Sequence, residues 1–86
     1  MQDKKSDFQK QLAEIIKKYR QQKNKSITKL SDEIGITKSI WSNVEAANRD
    51  PQLSTIWKMA EALDVPLSQI ILELEKKLGK DFFLET

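Results

Sequence analysis

The chain has 86 residues, no cysteine, no histidine and a formal net charge of +2. That length suits one small domain with a limited core. The missing residue types exclude disulfides, cysteine- or histidine-based metal sites and the commonest general base. Only two glycines are present, too few for a glycine-rich phosphate loop, and the carboxylates are scattered over the chain. No catalysis, cofactor or metal is therefore expected. Apolar runs never exceed three residues, far short of a membrane span. The polar start (Asp3, Lys4, Lys5, Asp7) is unlike a signal peptide. A reducing cytoplasm is the expected setting.

The periodicity predicts five helices and no strands, an all-α fold. The first runs from about Ser6, as its cap, to Lys23, with Phe8, Leu12, Ile15, Ile16 and Tyr19 on one stripe. The five residues before it should fray. Residues 22–26 form a loop. Ser26 caps a second helix carrying Ile27, Leu30 and Ile34, and Gly35 follows it, where a positive φ is usually needed. After Ile36 alone, Thr37 caps a third helix carrying Ile40, Trp41 and Val44. A fourth, about Gln52 to Leu63, begins after Asn48-Arg49-Asp50-Pro51 and turns Leu53, Ile56, Met59, Ala60 and Leu63 inward. Trp57 lies on the margin of that stripe, as core filler or as an anchor for a partner. The fifth helix, about Leu67 to Leu78, is stopped by Gly79, and the tail beyond it should fray unless a partner orders it.

Two capped segments separated by so tight a turn make a helix-turn-helix, spanning about residues 26–46. Such motifs place their second helix in the DNA major groove. With Trp41 and Val44 committed to the core, Thr37, Lys38, Ser39, Ser42 and Asn43 occupy the opposite side. Lysine suits guanine, asparagine suits adenine, and serine or threonine suits either. A merely solvated polar face, with Thr37 only capping, is the alternative. Ile40 is assigned to the core or its rim, with a methyl contact to thymine as the other option.

Charge is unevenly distributed. Residues through Lys29 carry nine basic and three acidic side chains, a local +6, whereas residues 30–64 carry three basic and six acidic, a local −3. A basic stripe beside a helix-turn-helix suits a phosphate backbone. Lys17, Lys18, Lys23 and Lys25 are the candidates, joined by Asn48 and Arg49 in the loop after the third helix.

The chain resembles the Cro/repressor-type (XRE) helix-turn-helix family of phage and bacterial regulators, lambda-repressor-like in fold. The resemblance runs from about Leu12 to Ile71. It rests on Arg20, Leu30, Gly35-Ile36-Thr37, Ser42-Asn43-Val44-Glu45, Arg49, Pro51-Gln52-Leu53, Ile56, Met59-Ala60, Leu63 and Val65. It implies base contact by Lys38, Ser39 and Asn43, and base or phosphate contact by Thr37 and Ser42. It also implies a structural ion pair between Arg20 and Glu45. Three positions depart from the family pattern. Ile27 stands where a phosphate-binding glutamine is common. Ser31 replaces a small alanine and brings a hydroxyl that needs a partner. Ala47 replaces a glycine, so Asn48 is expected to supply the positive φ.

The resemblance implies a sequence-specific transcriptional regulator of repressor, antitoxin or controller type, acting on a double-stranded operator. An adaptor that keeps the fold without reading DNA is the alternative, and a toxin or other protein partner is compatible with either. The row Leu67, Ile71, Leu74, Leu78 and the tail residues Phe82 and Phe83 exceed what one small core needs. Residues 67–86 are therefore a candidate homodimerisation element, which would make the operator a near-palindrome.

Overall fold

A computed structural model describes residues 4–85, so Asp3 and the other two leading residues lie outside it. Among the described residues there are five helices: α1 (Lys4–Lys23), α2 (Ile27–Ile34), α3 (Lys38–Glu45), α4 (Leu53–Ala62) and α5 (Leu67–Leu78). The fold is all-α with a central helix-turn-helix. Helix α1 packs against α3 on one side and α5 on the other, while α4 bridges α2 and α5. The apolar stripes converge on one core built from Leu12, Ile15, Ile16, Leu30, Trp41, Val44, Ile56, Met59, Ile70 and Leu74.

The caps of the helix-turn-helix follow from local chemistry. Ser26 Oγ accepts the Lys29 amide at 3.1 Å and Thr37 Oγ1 accepts the Ile40 amide at 3.2 Å, so each satisfies an N–H with no partner inside its helix. Gly35 closes α2 in the left-handed region at φ 70°, ψ 30°, with the Ile36 amide reaching back to Ser31 O.

Several expectations need correction. Helix α1 starts at Lys4, so Ser6 lies inside it rather than capping it, and Lys4 and Lys5 do not fray. Nothing in the lysine-rich start breaks a helix, and Lys5 pairs with Asp50 across the molecule at 3.8 Å. Leu53 is not inward: it is 63% exposed. It opens α4, and its side chain leans toward the helix N-terminus, away from the turns that pack on the core. Trp57, one turn later, is 55% exposed rather than core filler. The left-handed residue after α3 is Ala47 itself (φ 59°), not Asn48. Capping fixes the position, because the amides of Ala47 and Asn48 bond back to Val44 O and Asn43 O. The chain takes that turn whichever residue arrives there, at the strain an L side chain carries.

Helices α1 and α5 are clasped by a polar group. Tyr19 Oη donates to Glu73 Oε2 at 2.5 Å, Gln69 Nε2 donates to Tyr19 Oη at 2.7 Å, and Lys18 Nζ donates to Glu73 Oε1 at 2.7 Å. The hydrogen bond from Lys18, then that from Tyr19, holds the Glu73 carboxyl below the ordinary glutamate range. The same carboxylate raises the Tyr19 phenol above its ordinary value.

Two departures from the family pattern carry a stability consequence. Ser31 is 1% exposed, and its hydroxyl has no hydrogen-bond partner among the described residues. A buried, unpaired polar group is costly, and so is an alanine at positive φ. Ser31→Ala and Ala47→Gly are each expected to stabilise the domain by about 1 kcal/mol, raising Tm by roughly 4–8 °C. Thermal denaturation followed by circular dichroism checks both. An unchanged or lower Tm for Ser31→Ala would mean that the hydroxyl is satisfied in solution.

Candidate nucleic-acid interface

Helix α3 has one committed face. Trp41 is fully buried and Val44 nearly so, which turns the remaining side chains outward. Lys38 and Ser39 are exposed, Ser42 and Asn43 half-buried, and Thr37 is exposed at the cap. All five candidate reading residues are thus at least partly open to solvent on α3 and its cap. Thr37 Oγ1 is already an acceptor for the Ile40 amide, so its hydroxyl proton is what it can still offer.

An ion pair ties α3 to α1. Arg20 Nε donates to Glu45 Oε2 at 2.6 Å and Nη2 donates to Glu45 Oε1 at 3.0 Å, a bidentate fork. The Arg20 side chain is 18% exposed and that of Glu45 7%. A third donor went unrecognised in the sequence: Trp41 Nε1 reaches Glu45 Oε2 at 2.6 Å. Trp41 and Glu45 stand four apart on a helix, the spacing of facing neighbours, and that was the available signal. Arg20 Nη1 also reaches Lys25 O at 3.4 Å, tying in the loop before α2.

The candidate phosphate ligands separate into two groups. Lys18 is drawn to Glu73 on α5, Lys23 to Asp64, and Lys25 to Glu33 at 3.0 Å. The hydrogen bond from Lys23 holds the Asp64 carboxyl below its ordinary range. Each of these three lysines thus has a carboxylate beside it. Lys17 is exposed, and with Lys10 it lines a shallow cleft beside Ala46 and Ala47 at the end of α3. Asn48 and Arg49 are exposed in the following loop. Lys29, which charge counting alone did not single out, is exposed in the first turn of α2.

The candidate dimer row also divides. Leu74 belongs to the core at 4% exposure, and Leu67 and Leu78 pack against that core, because the stripe of α5 closes its own domain. Ile71, Phe82 and Phe83 line a groove of about 830 Å³ together with Phe8, and Leu74 and Leu78 form its floor against the core. Leu72, Phe83 and Leu84 stand exposed.

Two short helices joined through Gly35, with the second held by its apolar side and polar on the other, define a helix-turn-helix domain. Residues 16–70 match the helix-turn-helix family model HTH_3, and the chain belongs to that family. Over 60 residues, 70% of its length, it is 33% identical to the HTH-type transcriptional regulator SutR of Escherichia coli (strain K12). That match spans 34% of SutR, so the chain corresponds to only part of this curated relative. A crystal structure of an HTH_3 family transcriptional regulator from Vibrio cholerae superposes with a TM-score of 0.77 at 22% identity, covering 90% of this chain and 43% of that one. The likeness to that structure supports the fold.

Glu45→Ala strands both the Arg20 guanidinium and the Trp41 indole N–H, and is expected to cost about 2–3 kcal/mol. Arg20→Met combined with Glu45→Gln removes the charge and keeps an acceptor for the indole, so it should cost less than Glu45→Ala alone. Urea unfolding of the three proteins is the check. Equal losses would mean that the pair contributes through its attraction rather than through the cost of stranding its partners.

Proposed function

We propose that the domain binds double-stranded DNA sequence-specifically and regulates transcription, with α3 reading the major groove. The observation that carries this is the division of α3 into a buried Trp41–Val44 side and an outward polar side of Lys38, Ser39, Ser42 and Asn43, with the helix tied to α1 through Arg20 and Glu45. In this geometry Asn43 and Lys38 are the principal base readers, Ser39 and Ser42 add shorter-range hydrogen bonds, and Thr37 contributes its remaining proton. Lys17, Lys29, Asn48 and Arg49 hold the sugar-phosphate backbone. Lys18, Lys23 and Lys25 reach phosphate only by leaving their carboxylates. The relative's description as a transcriptional regulator supports the regulatory reading, and acting on a chromosome implies the cytoplasm.

One recognition helix reads only a few base pairs, so a two-fold homodimer on a near-palindromic operator is part of the proposal, with reading helices about 34 Å apart. The apolar groove of Phe8, Ile71, Phe82 and Phe83 is the surface proposed to join the copies. An adaptor function without DNA has one observation in its favour, the exposed pair Leu53 and Trp57. A toxin or other protein partner would suit that same pair.

Titration of duplex DNA at several salt concentrations separates the two. Binding should weaken with a slope of roughly −0.9 in log K against log salt for each phosphate neutralised. Arg49→Ala should weaken all sequences alike and reduce the slope by about 1. Asn43→Ala should instead change base preference, at about 1–3 kcal/mol per lost bidentate contact. A flat salt response defeats DNA binding and leaves the adaptor. Sedimentation with and without the selected duplex tests the assembly: a monomer in both conditions defeats the dimer.

A further inference from the structure

One apolar residue of α3 lies at the margin between its buried side and its polar side. Ile40 is half-buried, and it belongs neither to the core cluster nor to the ring of Phe8, Ile27, Ile34, Ile36, Val65, Leu67 and Leu78 packed against that cluster. Its expected place is the core or its rim; Trp41 and Val44 are the buried side chains of the helix, and Ile40 stays half-buried beside them. A single exposed isoleucine needs no explanation by itself. Its neighbourhood makes the difference. Ile40 lies three residues before Asn43, the spacing at which helical side chains are neighbours. It adjoins the side formed by Lys38, Ser39, Ser42 and Asn43. Its own amide is fixed at the cap, donating to Thr37 Oγ1 at 3.2 Å and lying 3.1 Å from Thr37 O. A β-branched side chain in a helix is nearly confined to one χ1 rotamer. The apolar surface is therefore offered in one position and loses little entropy on contact.

The major groove has one apolar feature to match it, the thymine C5-methyl group. Thymine pairs with adenine, the base whose N6 and N7 an asparagine reads bidentately. Resting on the DNA-reading function proposed above, we propose that Ile40 is a specificity residue that packs on a thymine methyl. It does so beside the base read by Asn43, so that the two together select a step containing A·T. No bond is made or broken; the contact removes one methyl group and part of the isoleucine from water.

The test uses the full chain and a duplex selected by it from a random pool. Each thymine is replaced in turn by deoxyuridine, which pairs identically and lacks only the methyl. For one thymine in each half-site, affinity of the unmodified protein should fall about fourfold, the worth of one buried methyl group. Ile40→Ala, checked for an unchanged melt, should be insensitive to that replacement. Asn43→Ala should remain sensitive to it while losing its preference at the neighbouring adenine. The uracil scan on the unmodified protein needs no variant, so it stands even if Ile40→Ala folds poorly. Affinity indifferent to every uracil, or an equal loss in Ile40→Ala, overturns the role of Ile40 and leaves DNA reading intact. Absence of salt-dependent duplex binding overturns both.

Discussion

The carboxylate of Glu45 is the point on which the interface depends. It accepts two bonds from the Arg20 fork and one from the Trp41 indole. Arg20 comes from α1, and Trp41 and Glu45 from α3, so one acid joins the longest helix to α3. An eight-residue helix has little stability of its own. Trp41 and Val44 fix its apolar side in the core. The bidentate fork adds a directional restraint to that packing. The cluster is therefore better understood as specifying orientation than as adding net stability, because desolvating the two charges offsets much of their attraction.

Much of the remaining charge is spent on the fold. Lys18–Glu73, Lys77–Glu14 and Lys5–Asp50 tie α1 to α5 and to the loop after α3, and Lys23–Asp64 ties the end of α1 to the turn after α4. Exposed pairs of this kind each contribute little. They also place a carboxylate beside each of these lysines, which weakens the positive field there.

The apolar side chains left exposed divide into two surfaces. Leu53 and Trp57 share one side of α4, whereas Phe83 and Leu84 extend from the groove of α5 and the tail. Leu72 stands apart on the outer side of α5. Small patches on a monomer are ordinary, but a tryptophan and a phenylalanine at more than half exposure are of the type that anchors partners. The stripe of α5 serves its own core first. Only its margin and the tail are free for a second copy.

How much was legible in the sequence depends on the range of the interaction. The caps Ser26 and Thr37 and the turn at Gly35 are decided within four residues, and their hydrogen bonds stand where local chemistry puts them. The stripes of α1 and α2, and Trp41 and Val44 of α3, needed only helical periodicity, and the Arg20–Glu45 pair was legible through the family resemblance. The start of α1 was not, because capping chemistry permits a beginning at Ser6 without requiring it. Ala47 kept its left-handed turn although its side chain argues against it, since the hydrogen bonds closing α3 outweigh one residue's preference. Sequence periodicity also could not decide what lies opposite each stripe. Leu53 and Leu74 read alike as inward leucines, yet one meets solvent and the other the core. Nor could a count of lysines reveal which would find a carboxylate 55 residues away, as Lys18 does in Glu73. Local chemistry thus determined the elements and the residues available to read a groove. Which apolar and charged groups remained free was decided by helices distant in the chain, because only their packing sets each side chain's neighbours.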